Sequence, residues 1–407
     1  MQESFKEIDN DVIKVGASPA SSPPPLAIDP WVASSLLQKS IRRGDADLAE
    51  RAAITLHRQR GNGIWRRFLI VAFEDVGVAS VETLVHTAKA CGDPAWRATL
   101  GGDGRALRIV VRELASAVKD RSPDYLICAA RSHPAFEDAW GRIRAMSIAR
   151  RLDLLADSTR PLPERAVAAW CASGIEWGDE RRVGPGDLAS LMQAFRELGV
   201  PPDLTSATHF AVRRAKEPIV LMTPLLWLAS STSAQAGVVE CAVPPVTMIG
   251  EAPGYAFDKH TSIGKAAIQR LASQNEAVRD VLRAFVSATK VNDAAAIAAF
   301  YADGAPVSRR YDWDGSAELE RLGVESDMRD AGVPLEGIAP LLAVVRGNLD
   351  HLDALRRRGL TVFFIDHEMR IVLSACDLVY VLAEGRVIAR GAPDEIRADE
   401  RVLEAYF

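Results

Sequence analysis

Apolar side chains return every three or four positions through the first 160 residues, separated by short polar or glycine-bearing breaks. Trp31–Arg43 reads as a helix that Asp29 caps, with Pro30 in its first turn and Gly44 at its end. Leu48, Ala52 and Leu56 form one stripe of a helix predicted over Ala46–Arg60 and stopped by Gly61. Ile64, Phe68 and Val71 share a face of the next, over Ile64–Phe73. Ser80 starts another that runs to Gly92, and Asp103 is expected to cap Gly104–Lys119, whose stripe is Leu107, Val110, Val111, Leu114 and Val118. Ser122-Pro123 repeats the cap-plus-proline start. Breaks this short favour antiparallel helical neighbours.

The pattern loosens over 161–260. Arg181–Leu188 and Val200–Asp203 read as turns, and Ala242–Gly254 as a loop between subdomains. Helical spacing returns between Gly264 and Tyr301 through Ile268, Leu271, Val278, Leu282 and Phe285. Ala302–Gly315 is then a polar, Gly- and Asp-rich break. After residue 349 the grammar changes. Helix Leu349–Arg358 is followed by the continuous apolar run Leu360–Ile365, a strand buried on both faces, and by helix Glu368–Cys376. Strands Leu378–Leu382 and Arg386–Arg390 turn at Glu384-Gly385, and helices Pro393–Arg397 and Glu400–Tyr406 close the chain. The expected fold is mainly α, a helical bundle-like body with a small C-terminal α/β element. Its divisions are a Pro/Ser-rich disordered tail over 1–28, a helical domain over 29–160, a second mainly helical region over 161–345 and the C-terminal element over 346–407.

Composition narrows the function. A charged fraction of 25% with a net charge of -5 excludes a chain that is basic throughout for nucleic acid or membrane. Five widely spaced cysteines fit neither a disulfide framework nor a C-x-x-C metal site. The N-terminus has no apolar core of signal-peptide length, and the most apolar stretch, Ile219–Ala229, is interrupted by Pro224 and too short to span a bilayer. A cytoplasmic chain is expected.

The segment RRRGLTVFFIDHEMRIVLSACDLVYVLAEGRVIARGAPDEIRADERVLEAYF, within Leu349–Phe407, resembles the C-terminal end of an ABC-transporter ATP-binding subunit of the branched-chain amino acid uptake group. The resemblance implies that His367, after the apolar strand, contacts the γ-phosphate of ATP. The parts that would complete the nucleotide site are not in the sequence. It has no G-x-x-x-x-G-K-[ST] phosphate loop, since Gly264-Lys265 is followed by Ala266, and no LSGGQ signature. Ser326–Gly337 occupies the place of the apolar strand ending in Asp-Glu and supplies neither a magnesium ligand nor a base for water. No catalytic residue is assigned, and ATP enters only if a partner cassette brings the phosphate loop.

A second resemblance begins at LLQKSIRRGDADLAERAA (Leu36–Ala53) and continues in FLIVAFEDVGVAS (Phe68–Ser80). These segments are similar to the helical region of the replication-associated recombination family of clamp-loader-type AAA+ proteins, through Lys39–Arg42, Asp45, Asp47 and Glu74–Gly77. That resemblance implies an assembly or docking module. Between Lys39 and Arg67, eight Lys/Arg face three acids, so Arg42, Arg43, Arg66 and Arg67 are candidates for phosphate-backbone contact, with Trp65 for base stacking. Arg142, Arg144, Arg150 and Arg151 form a second basic cluster. Glu74-Asp75 can bind a cation, share a proton or pair with helix bases. Asp258, His260, Asp312 and Asp314 match no zinc or calcium spacing, so no metal is assigned.

These readings give a non-catalytic helical interaction protein, with a link to DNA maintenance and an incomplete cassette end left by gene fusion or used for docking. Its partners would be a protein or a second copy, with nucleic acid as a further candidate. The alternative is an ABC-related component of branched-chain amino acid transport that acts only with a complete cassette partner or permease.

Overall fold

The computed structural model describes residues 23–177, 183–358 and 378–406, together with Met369, Val372, Leu373 and Cys376. The strand expected at Leu360–Ile365, residue His367, most of the tail and most of helix Glu368–Cys376 lie outside the described residues.

The body is built of helices, as the periodicity predicts. Helix Pro30–Arg43 starts where expected: the Asp29 carboxylate accepts from the N–H groups of Trp31 and Val32, and Gly44 ends it with φ 73°. Helices Ala46–Arg60, Val81–Gly92 and Ser122–Ser132 also follow the sequence breaks. Asp103 departs from its expected role. It is the first residue of helix Asp103–Ser116 rather than its cap, because its carboxylate is taken by Arg97 at 2.7 Å. Packing also begins before Asp29. Leu26 is buried and its N–H donates to Thr55 Oγ1 at 2.8 Å.

Three apolar cores organise the described residues. The first gathers residues from Leu26 to Phe257 and adds Trp313 and Leu319. It runs through residue 160 without interruption, since Val167, Trp170, Leu191, Phe195 and Leu225 pack into the same cluster. The second extends from Ala267 to Leu355. The third is small: Leu373, Val379, Val381, Ala389, Ile396 and Val402. The change of core therefore falls near residue 260. Helical spacing alone does not show it, because the stripes on both sides look alike.

The Ala302–Gly315 break contains a strand. β1 (Ala236–Glu240) pairs antiparallel with β4 (Arg309–Trp313), Ala236 opposite Trp313 and Glu240 opposite Arg309. Between them in sequence, β2 (Met248–Ile249) and β3 (Ala252–Pro253) form a short ribbon within the expected loop. Lys119 joins β4 from the other side: its N–H donates to Arg309 O at 2.9 Å, and its carbonyl accepts from Tyr311 N–H at 2.8 Å. Helix Ser316–Asp330 then lies against Ser122–Ser132, with Gly323 so close to Tyr125 that an added Cβ would meet its Cα at 2.6 Å. At the C-terminus, β5 (Val379–Ala383) and β6 (Arg386–Gly391) form the expected hairpin, followed by helices Pro393–Ala398 and Glu400–Tyr406.

The Ile219–Ala229 stretch forms a short 3-10 turn and helix Met222–Ser230 inside the first core. Among the described residues, no helix is long and apolar enough to cross a membrane.

Candidate functional site

The charged residues of the first helix meet at the seam between the two large cores. Ser35, Lys39 and Arg42 are spaced by four and three residues, so one face of Pro30–Arg43 carries them together. The acid pair reaches them through a π turn. Helix Gly63–Val71 continues into a π turn over Ala72–Val76, which carries Glu74 and Asp75 at its centre. A second π turn, Phe300–Gly304, comes from the other core.

Arg42 links the two turns. Its Nε donates to Asp75 at 2.7 Å, Nη2 to Glu74 at 2.8 Å and Nη1 to the Gly304 carbonyl at 3.0 Å. Asp75 also accepts from Gln38 at 2.8 Å and lies 3.3 Å from Arg121, which pairs further with Asp124. Burial alone would raise the Asp75 pKa, but Arg42 and Arg121 outweigh it and hold the carboxyl below its ordinary range. Glu74 goes the other way. Burial, with the Asp75 charge beside it, pushes it up to about 7.

Two further ion pairs extend the seam. Lys39 donates to Ser35 and to Asp258, each at 2.6 Å, and Asp258 accepts from His260 at 2.8 Å. Burial lowers Lys39 to about 8 against the pull of Asp258. Arg43 donates to Asp303 at 3.1 Å and stacks over Tyr255 at 4.2 Å. Arg356 donates to Asp303 at 2.8 Å and Asp353 at 2.7 Å. Asp303, Arg356 and Asp353 carried no motif, and only folding brings them to the first helix. Charges this deeply buried are tolerated when every partner is in place, and they then fix one arrangement of the surrounding elements. The cluster can therefore hold the cores in register and keep a proton on Glu74.

The four arginines considered for nucleic acid do not form one surface. Arg42 and Arg43 point inward, with side-chain exposures of 2% and 5%. Arg67 donates to Gln38. Arg66 is half-exposed and donates to Glu217 at 2.9 Å. Trp65 is buried, with Phe68 at its edge and Arg97 over its ring at 4.7 Å. In the second basic cluster, Arg151 is buried and donates to the carbonyls of Cys171, Pro185 and Arg144. Of the four candidate metal ligands, Asp258 and His260 pair with each other, whereas Asp312 accepts from Ser316 and Asp314 from Ala234 N–H. Among the described residues, no group of three His, Cys, Asp or Glu is placed to hold a metal ion. A cavity of about 510 Å³ opens beside the seam and is lined by Arg121, Tyr125, Tyr301, Arg310 and Arg346.

The C-terminal element stands on its own small core. Val379, Val381 and Ala389 turn one face of the hairpin toward Ile396 and Val402. Leu378, Tyr380, Leu382 and Val387 are exposed. Residues 386–407 match the model of the branched-chain amino acid ATP-binding cassette transporter family. The chain carries an ABC-transporter C-terminal region. It is 35% identical over 75 residues to the lipopolysaccharide export system ATP-binding protein LptB of Escherichia coli, which covers 18% of this chain and 30% of LptB. It is 31% identical over 107 residues to the probable branched-chain amino acid transport ATP-binding protein LivG of Archaeoglobus fulgidus, covering 23% of this chain and 41% of that protein. For the LivG of Methanocaldococcus jannaschii, identity is 35% over 78 residues, covering 18% of this chain and 30% of that protein. The chain thus spans less than half the length of these curated relatives. No solved structure matches it significantly.

Proposed function

We propose that this chain is an ABC-related component of branched-chain amino acid transport that works only in company with a complete cassette. The observation that carries the reading is the family match over residues 386–407, on a hairpin and two helices with a core of their own. The LivG matches support the same class. The sequence holds no phosphate loop, so ATP turnover would require the partner to surround the phosphates. His367 is the one residue of this chain for which the resemblance implies γ-phosphate contact. The chain would lie at the cytoplasmic face of a permease, with the helical body as its assembly part.

Co-expression of the tagged full chain with a complete cassette and its permease tests the proposal. The chain should retain the cassette through affinity purification, and deletion of residues 386–407 should release it. Failure to retain it, with no ATP bound in equilibrium dialysis with or without the cassette, would remove the proposal. A helical body serving DNA maintenance and self-assembly, as the AAA+ resemblance implies, has less support. Arg42 and Arg43 are already engaged by carboxylates, and the matched family model lies outside the body.

A further inference from the structure

A second cavity, about 900 Å³, lies away from the charged seam, between helix Leu162–Ser173, the end of helix Met222–Ser230 and the turn from β4 into helix Ser316–Asp330. Its size suits a small organic ligand. Aromatic walls come from Phe136, Trp227 and Trp313. Its polar groups are unevenly satisfied. Arg165 lines the cavity and is only 7% exposed. Its Nε donates to the Leu155 carbonyl at 2.9 Å, and its two terminal nitrogens have no hydrogen-bond or ion-pair partner among the described residues. Asp157, the carboxylate whose charge acts on it, is itself exposed and engaged by Thr159. Trp313 is 6% exposed, and its indole N–H has no acceptor.

The acids at the same cavity are occupied. Glu318 accepts twice from Arg321, at 2.9 and 2.7 Å, and Asp314 accepts from the Ala234 N–H at 3.0 Å. Two helices of twelve and fifteen residues also begin here, and their first turns add positive potential. Solvent reaches the terminal nitrogens of Arg165, so they are free to take an acceptor that enters the cavity. We propose that this cavity binds a small organic anion with a ring-sized apolar body, its charged group taken by the terminal nitrogens of Arg165, and its body against Trp227, Phe136 and the ring of Trp313. The charged group is a phosphate or a carboxylate.

Isothermal titration calorimetry of the full chain with adenosine monophosphate, indole-3-acetate and inorganic phosphate tests this. One of the two organic anions should bind at one per chain, at least about tenfold tighter than inorganic phosphate, because the apolar body contributes. Preference for the nucleotide marks a phosphate site, and preference for indole-3-acetate a carboxylate site. Arg165→Met should weaken binding at least about tenfold, the loss of a charge-assisted hydrogen bond. Arg165 also holds the Leu155 carbonyl, so Ser231→Trp, an exposed rim position that fills the cavity without touching the core, is the second variant. It should abolish binding with an unchanged circular dichroism spectrum. No heat with either organic anion, inorganic phosphate binding as tightly, or binding that survives Ser231→Trp would overturn the proposal.

Discussion

Asp75 has no exposed surface, accepts from Arg42 and Gln38, and forms an ion pair with Arg121 at 3.3 Å. Replacing it by Ala leaves two buried guanidinium groups short of a carboxylate, which costs about 3–5 kcal/mol. Urea denaturation should show that loss, whereas Arg66→Ala, breaking a half-exposed pair with Glu217, should cost below about 1 kcal/mol. Similar losses for the two variants would argue against the seam as a source of stability. Glu74 makes a separate prediction about pH. Its folded pKa, about 7, lies above the ordinary 4.5, so the folded chain binds the extra proton between those values. The stability this contributes is full below pH 4.5 and is lost as pH rises through 7. In Glu74→Gln that decline should be absent, read as urea midpoints compared with the unmodified chain across the same window. Parallel midpoints would show that Glu74 does not carry the proton.

At the scale of elements, the C-terminal hairpin was legible from residue types. Alternating apolar positions and Glu384-Gly385 located both strands and the turn. The turn places Glu384 at φ 48° and Gly385 at φ 77°, and only the glycine adopts such a value without strain. Glu384→Asn should raise the thermal midpoint, with a gain of about 1 kcal/mol or less, since Asn tolerates the left-handed region better. A lower midpoint would mean that the Glu384 side chain makes a compensating contact. The π turns were not legible. An inserted residue leaves helical composition unchanged, and it shows only in how Glu74 and Asp75 are delivered to Arg42. β1 and β4 were missed for a related reason. They lie 69 residues apart at the Glu240–Arg309 pair, and no tight turn joins one to the other.

For the whole molecule, core size ranks the parts. The two large cores share the buried ion pairs of the first helix, whereas the C-terminal core has six buried apolar residues among the described residues. A peptide of fewer than about 40 residues rarely folds without a staple or a partner. The isolated segment 369–406 should therefore show no cooperative melt by circular dichroism, and a sharp melt would mean that the element is an independent domain. An element that melts without cooperativity on its own would suit a segment whose relatives carry it as less than half of a longer protein.

The sequence by itself determined the helical class, several helix ends in the first 130 residues and the C-terminal hairpin, because these rest on local caps, periodicity and turn residues. It also carried the cassette resemblance, which is a linear string of residues. Only the tertiary structure decided that residues from Leu26 to Phe257 share a core, that Arg42 and Arg43 face inward, and that Asp258, Asp303 and Arg356 complete their pairs. The reason is physical: a charge in a sequence carries no record of whether water or a distant carboxylate will neutralise it, and that choice is made only when remote segments are packed together.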